Sequence, residues 1–259
     1  MRVDVLVSTL SDNRFYLVHD EQSGILVDPY DVATAVDAVR SRGLQTVVIV
    51  ATHGHWDHVG GNAEASEALG CEVIVPRDER EFLIVGDRQV GDGDRVEVGA
   101  LCLDVLHLPG HTGGHIALRG PDFLVSGDVL FYGGVGNCRF GGDPGELYRT
   151  VCDRLAAVPD NTRIFPGHDY AARNLDFIVS IEPDNEEARH LRSVIEPVNG
   201  GGLNVPVLGV ERRYNPFHRV RDPRLQAKLA ASHASRWDEG VADLGERAFR
   251  LLRSLRDEF

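Results

Sequence analysis

The chain lacks any apolar run approaching the roughly 20 residues of a membrane helix. The start, MRVDVLVSTLSDN, does not have the shape of a signal peptide, because Asp4 interrupts its only apolar stretch. Cysteine is scarce: Cys71, Cys102, Cys138 and Cys152 form no CxxC pair and no disulfide framework, so they read as free thiols in a reducing compartment. Positive charge is also short. The net charge is −13, which argues against nucleic acid as the main partner, since phosphate binding wants a basic surface. A small anionic ligand is still compatible, because it needs only a local cationic spot. Lys228 is the only lysine, a skew of genome composition rather than of function. There is no internal repeat and no low-complexity tract. What remains is a soluble globular composition, 42% hydrophobic and 26% charged over 259 residues, long enough for a sizeable core. The expectation is a cytoplasmic protein with a small-molecule partner, and with neither nucleic acid nor membrane as a partner.

The most informative stretch is Thr52–Asn62, THGHWDHVGGN, which packs His53, His55, Asp57 and His58 into six residues. Imidazole and carboxylate together suit zinc, iron or manganese. The apolar run Val47–Ala51 before it reads as a buried strand, and Asn62–Leu69 after it has helical spacing. The ligands therefore sit on a strand-to-helix loop.

Around this loop the pattern predicts three antiparallel strands near Val3–Val7, Phe15–Val18 and Gly24–Asp28, then a helix over Asp31–Arg42 stopped by Gly43. Further strands are expected at Thr46–Ala51, Glu72–Val75, Val96–Val98, Leu101–Leu108, His115–Leu118, Phe123–Ser126 and Arg163–Pro166. Pro76–Val90 reads as a short helix and a loop, and Glu146–Val158 as one helix starting from Asp143-Pro144. After Ala171 helical patterns take over: Ala171–Ile181, Asn185–Val198, Leu225–Ala234 and Val241–Arg256, with a Gly- and Pro-rich segment at Asn199–Val207. This places a boundary near 170, between a mixed body (1–170) with two sheets and outer helices, and a helical C-terminal part (171–259).

Three other segments carry a ligand-type residue beside glycine just past a strand: His111 in LPGHTGGH, Asp128 in SGD, and His168 in PGH. With the first run they make seven donors, too many for one tetrahedral ion and suited to two ions sharing a carboxylate. The division expected is His53, His55 and His111 on one ion, Asp57, His58 and His168 on the other, and Asp128 between them. His115 is the best candidate for a residue that orients a ligand from behind.

In order, HGHWDH (His53–His58), His111, Asp128 and His168 resemble the metallo-β-lactamase superfamily. That resemblance implies an α+β fold, the four-layer αββα sandwich, and a metal site. Ser11-Asp12-Asn13, Val27-Asp28-Pro29, Pro109–His115, Gly127–Phe131, Gly167–Tyr170 with Asn174-Leu175, Glu182–Asn185 and the tail Tyr214-Asn215-Pro216-Phe217 with Arg219 are similar to the glyoxalase II (hydroxyacylglutathione hydrolase) family. The resemblance covers nearly the whole chain and implies a helical C-terminal domain, two divalent ions (zinc, with iron or manganese as alternatives) and a glutathione thioester as substrate. It places the glutathione contacts on Arg139, Tyr170, Arg253 and Arg256. The spacing agrees in part: Arg247, Arg250, Arg253 and Arg256 recur every three residues, along a slowly turning stripe of a helix. Gly54, Gly136-Asn137-Cys138, Gly141 and Asp169 depart from the family pattern, and Gly141 removes a tyrosine contact to the thiol carrier.

The chemistry implied is hydrolysis of S-2-hydroxyacylglutathione, such as S-D-lactoylglutathione, to glutathione and a 2-hydroxy acid. Asp57 and Asp128 are the expected catalytic residues, orienting a hydroxide that the two ions bridge. A thiol of pKa about 8.5 leaves without a dedicated acid. The competing readings are a mononuclear-iron sulfur dioxygenase acting on glutathione persulfide, a hydrolase of another ester, lactone, β-lactam or thioester, and a non-catalytic metal-binding module. The last predicts a missing ligand, and none is missing.

Overall fold

A computed structural model of the chain describes residues 1–79, 86–195 and 206–259. Strands β1 (Arg2–Val7), β2 (Arg14–His19), β3 (Ser23–Val27), β4 (Thr46–Val50), β5 (Val73–Pro76) and β6 (Arg88–Val90) form one sheet in that order. The first three are antiparallel, as expected, and β3 to β6 run parallel. A second sheet has the order β13-β10-β9-β8-β7, from β7 (Arg95–Val98), β8 (Leu101–His107), β9 (Ile116–Arg119), β10 (Phe123–Gly127) and β13 (Arg163–Pro166). A short hairpin, β11 (Leu130–Phe131) with β12 (Gly134–Val135), lies between β10 and β13 in sequence.

Why the strands read as unbroken apolar runs is clear from the layers. On β2, Tyr16 and Val18 face the second sheet, while Phe15 and Leu17 face the outer helices. Both faces are buried, so alternation in hydrophobicity disappears. The inner layer joins Tyr16, Ile25, Val48 and Ile74 to Leu103, Leu118, Phe123 and Phe165. Helices α1 (Val32–Ser41) and α3 (Asn62–Leu69), the latter preceded by the one-turn α2 (Trp56–Val59) of the His loop, cover the outer face of the first sheet through Ala35, Val39 and Ala65. Asp31 caps α1 by accepting from Thr34 N, and also accepts from the Thr9 backbone and hydroxyl. The result is the αββα sandwich expected.

The outer face of the second sheet is covered by α4 (Pro144–Arg149), by α5 (Ala171–Ile181), and by the last helix, α9 (Leu244–Glu258). Between the last two lie α6 (Glu186–Val194), α7 (Leu208–Tyr214) and α8 (Pro223–Ser232). On α9 the buried stripe Ala248, Phe249, Leu251 and Leu252 meets Leu147 and Tyr148 of α4 and Phe217 of the Tyr214–Phe217 tail.

Three expectations are corrected. The helix expected over Glu146–Val158 ends at Arg149. It widens into a π turn over Thr150–Arg154 and closes in a 3₁₀ turn over Leu155–Ala157. Thr150, where the widening starts, donates its hydroxyl to Pro109 O at 2.6 Å, a tertiary bond that helical spacing does not reveal. The Pro76–Val90 segment contains strand β6, and its residues 80–85 lie outside the described residues. The helix expected to Val198 ends at Val194, and 196–205, with most of the Gly- and Pro-rich segment, also lie outside them. Helix α7 and the β11–β12 hairpin had no clear sequence signal. No helix among the described residues is long and apolar enough to cross a membrane.

Candidate metal centre

Parallel pairing brings the donors together. In the first sheet β3 and β4 are parallel. In the second, β8 and β10 run the same way because each is antiparallel to β9, and β13 is parallel to β10. Asp28, the His53–His58 loop, His111, Asp128 and His168 all follow the carboxyl ends of these five strands. Backbone bonds tie the two sheets at this edge: Ile116 N donates to Thr52 O at 2.9 Å and Arg14 N to Gly167 O at 2.7 Å.

Among the described residues three groups of donors converge: Asp28 with His53 and His58, and two that share no residue. His53, His55 and His111 form one, and Asp57, His58 and His168 the other, with the ligand atoms of each group within 4.8 Å of one another. His53 Nε2 and His111 Nε2 each stand 3.0 Å from His55 Nδ1. In the second group, His168 Nε2 and His58 Nε2 are 3.3 and 3.9 Å from Asp57 Oδ2. Asp128 touches both groups: Oδ2 is 3.6 Å from His111 Nε2 and 3.5 Å from His168 Nε2, and Oδ1 is 3.5 Å from His58 Nε2.

The outer ring nitrogens of three donor histidines are engaged, which sets their tautomers, while that of His168, Nδ1, makes no hydrogen bond among the described residues and lies 3.3 Å from Asp12 Oδ1. His111 Nδ1 donates to Asn137 O at 2.7 Å, His55 Nε2 to Phe140 O at 3.0 Å and His58 Nδ1 to Asp28 Oδ2 at 2.9 Å. At His111 and His55 the remaining nitrogen then turns a lone pair inward, the ligand form. His53 is held through Thr52, whose Oγ1 is 3.0 Å from His53 Nδ1 and donates to Asp28 Oδ2 at 2.6 Å. His115, buried and stacked on His53 with ring centroids 4.9 Å apart, accepts the Asp128 backbone N–H at 3.1 Å.

The donor set fits a divalent cation. His58 Nε2 and Asp128 Oδ1 are fully buried, aim into the centre and have no hydrogen-bond partner, a condition buried polar atoms rarely tolerate. Burial and the surrounding imidazoles keep His53 below the ordinary histidine range, and burial pushes His111 down to about 4, so both are neutral and able to ligate. Burial opposes charge on Asp128 and Asp57 as well, but the nearby histidines outweigh it and hold both carboxyls well below the usual range. At His58 and His168 burial is outweighed instead by the carboxylates, Asp128 first, which raise both above the ordinary histidine range, His168 to about 9, so a bound divalent ion would take the place of their inward protons.

Asp28 is the support that reading by residue type passed over. It is the only non-glycine residue with positive φ among the described residues, at 54°, a conformation that aspartate tolerates better than most. Its carboxylate takes Thr52 N, Thr52 Oγ1 and His58 Nδ1 together. The available signal was its place directly after a strand parallel to that of the His loop. Asn13 was also passed over: its Nδ2 donates to Asp57 O and Oδ2 at 2.9 and 3.2 Å. Asp28→Asn keeps the backbone conformation but removes the anion behind His58. Metal affinity, titrated into the stripped variant, should fall about 10- to 100-fold, and unchanged affinity would show that Asp28 does not orient the ligand.

Glycine is required at Gly110, before His111. Its φ is 132°, and a Cβ there would lie 2.4 Å from Leu147 N and Cα. The close approach presses the His111 loop onto α4, beside the Thr150–Pro109 bond.

Beside the two donor groups opens a cavity of about 260 Å³, lined by Asp128, Phe131, Asn137, Arg139, Tyr170, Arg173, Arg253, Arg256 and Asp257 among others. All four residues expected to hold the thiol carrier are therefore on one wall system. Tyr170 stacks on His168, centroids 5.1 Å apart and planes at 4°. Arg139 donates to Asp257 O at 2.7 Å, and its Nε lies 3.5 Å from the Asp257 carboxylate. Arg253 is buried. Its Nη1 donates to Val135 O and Gly136 O at 2.7 and 3.2 Å, and its Nη2 to Asp257 Oδ1 at 2.8 Å. Arg256 Nε donates to Asn174 Oδ1 at 2.9 Å. Arg247 and Arg250, earlier on the same stripe, are occupied elsewhere, by Val241 O and Glu246.

The β11–β12 hairpin is the cavity's inner wall and is pinned by the C-terminal part. Buried Glu211 accepts Gly133 N at 2.9 Å, Tyr214 OH at 2.5 Å and Asn215 Nδ2 at 3.2 Å. Asn174 Nδ2 donates to Tyr132 O at 2.9 Å. The Tyr214-Asn215-Pro216-Phe217 motif thus acts through the hairpin.

A sandwich with donors at the carboxyl ends of five strands defines a metallo-β-lactamase fold, and residues 12–168 match the model of the metallo-beta-lactamase superfamily. Residues 169–259 match the model described as the hydroxyacylglutathione hydrolase C-terminus. A hydroxyacylglutathione hydrolase of Anaeromyxobacter dehalogenans is 37% identical over 253 residues, 95% of each chain. The chain belongs to the hydroxyacylglutathione hydrolase family of that superfamily. Among solved structures, ETHE1 from Myxococcus xanthus superposes with a TM-score of 0.66 at 25% identity, covering 91% of this chain and 99% of that one. TTHA1623, solved in a di-iron-bound form, gives 0.60 at 28% identity, covering 82% and 98%.

Proposed function

We propose that the protein is a metal-dependent hydrolase of S-2-hydroxyacylglutathione thioesters, releasing glutathione and a 2-hydroxy acid. The observation that carries this is the junction of two features: seven donors in two groups joined by Asp128, and an arginine-lined cavity that opens beside them. Seven donors favour two ions over the three-donor, one-iron arrangement of the dioxygenase reading. Zinc is the proposed metal, with iron and manganese compatible with the same ligands.

His53, His55 and His111 would hold one divalent ion and Asp57, His58 and His168 another, with Asp128 serving both, and such ions would supply Lewis acidity and bring the pKa of water toward neutrality. Asp57 and Asp128, ionised and fixed by their neighbours, accept hydrogen bonds from the attacking water and aim it at the thioester carbonyl. Tyr170, backed by the His168 ring, and Arg139 and Arg256 hold the carrier so that the carbonyl stays near that water. Arg253 shapes the cavity by holding Val135 and Gly136 in place. The leaving thiolate needs no acid beside it, since its pKa is near 8.5. In this reading residues 1–170 form the unit that carries the ligands, and 171–259 the unit that completes the carrier's cavity.

Metal-replete protein should hydrolyse S-D-lactoylglutathione, lose that activity to a chelator and regain it on adding metal. Absence of turnover in the metal-replete protein would sink the assignment. Oxygen uptake with glutathione persulfide would favour the dioxygenase.

A further inference from the structure

The cations of the cavity are not equally available. Arg253 has spent its guanidinium on two backbone carbonyls and the Asp257 carboxylate. Arg139 shares the same aspartate. Asp257 therefore offsets part of this pair's charge. Arg256 uses only Nε internally, on the neutral Asn174 amide. Arg173, in the first turn of α5 and three residues past Tyr170, lines the cavity, is exposed, and makes no hydrogen bond or ion pair among the described residues. Burial first, then the charge of Arg253 and then that of Arg173, disfavour the charge on Arg256.

Asp257 favours the charge on Arg256 but is already shared by Arg253 and Arg139, so the like charges at this mouth are only partly offset until an anion joins them. The chain as a whole carries −13, so its general field repels anions and a local pair has to do the attracting. Resting on the thioester-hydrolase reading, which supplies a carrier with two carboxylates, we propose that Arg173 binds one carboxylate of the thiol carrier, pairing with Arg256, while Arg253 serves as a positioning residue for the cavity wall. A guanidinium is suited to this role: its planar fork matches a carboxylate, and rotamer freedom at the mouth lets it close on the ligand. The contact lies far from the reacting carbonyl and forms equally in the ground and transition states. Its loss therefore belongs in KM rather than kcat.

The test uses the full-length, metal-loaded enzyme. Arg173→Ala, which removes an exposed side chain without internal partners, should fold normally and raise KM for S-D-lactoylglutathione about tenfold with kcat unchanged, the low end for a charge-assisted hydrogen bond at an exposed site. Arg173→Lys should recover part of the loss. Two modified carriers locate the contact, one esterified at the glycyl carboxylate and one amidated at the γ-glutamyl α-carboxylate. The difference between wild type and Arg173→Ala should vanish with one of them and persist with the other. An unchanged KM for the native thioester, or a difference that survives both modifications, overturns the proposal. Neither result touches the hydrolase reading, which stands or falls with wild-type turnover.

Discussion

Asp128→Ala should lose bound metal and hydrolytic activity together. Asp128 follows Gly127 at the end of β10, and its carboxylate lies within 3.6 Å of donors in both groups. Without it, His58 and His168 lose the buried anion between them, and the two proposed metal positions would lose their shared ligand. Changing a residue that only supports a ligand costs about 10- to 100-fold in affinity or rate, so removing the shared ligand itself should exceed about 100-fold. The measurement is metal content after dialysis against trace metal, paired with kcat/KM for the thioester. The Asp128 backbone N–H still reaches His115 Nε2 in the variant, so the loop keeps that tether. Full metal content with a normal rate would show that the two groups do not share a carboxylate ligand.

Phe249→Ala should be the most destabilising substitution of the C-terminal part. The ring is completely buried, 5.2 Å from Phe217 and 5.8 Å from Tyr148, at the point where α9, α4 and the Tyr214–Phe217 tail meet. Truncating such a phenylalanine leaves a cavity among rings that are tethered elsewhere, at a cost of about 3–5 kcal/mol. In a chain of this length that lowers Tm by on the order of 10 °C. Because α9 also carries Arg253 and Arg256, the variant assayed well below its Tm should raise KM more than it lowers kcat. A Tm within about 2 °C of wild type would mean that α9 is not seated through Phe249.

How much of this was legible in the chain depends on whether the signal was local. Strand runs such as Val47–Val50 and the helical period of Ala171–Ile181 reflect each residue's own neighbours, and both elements lie where the pattern places them. The break at Thr150 was not legible, because its cause is a bond to Pro109, 41 residues earlier. The donor types were readable one by one, since glycine beside histidine or aspartate after an apolar run is a short-range motif. Their supports were not. Asp28 reads as an acid before a proline, and Asn13 as a turn residue, until parallel β3–β4 pairing and the β2 start bring them behind His58 and Asp57. The arginines show the same limit: a three-residue period identifies a stripe but not which guanidinium is already paired.

The sequence by itself determined the chemistry, because His53, His55, Asp57, His58, His111, Asp128 and His168 are ligand-type residues wherever the chain puts them. It also determined the family, through motifs spread over most of its length. Only the tertiary structure decided which donors meet, that Asp128 stands between two groups, and which cavity cations remain available. Those are properties of distance and burial between residues far apart in the chain, and no local pattern records them.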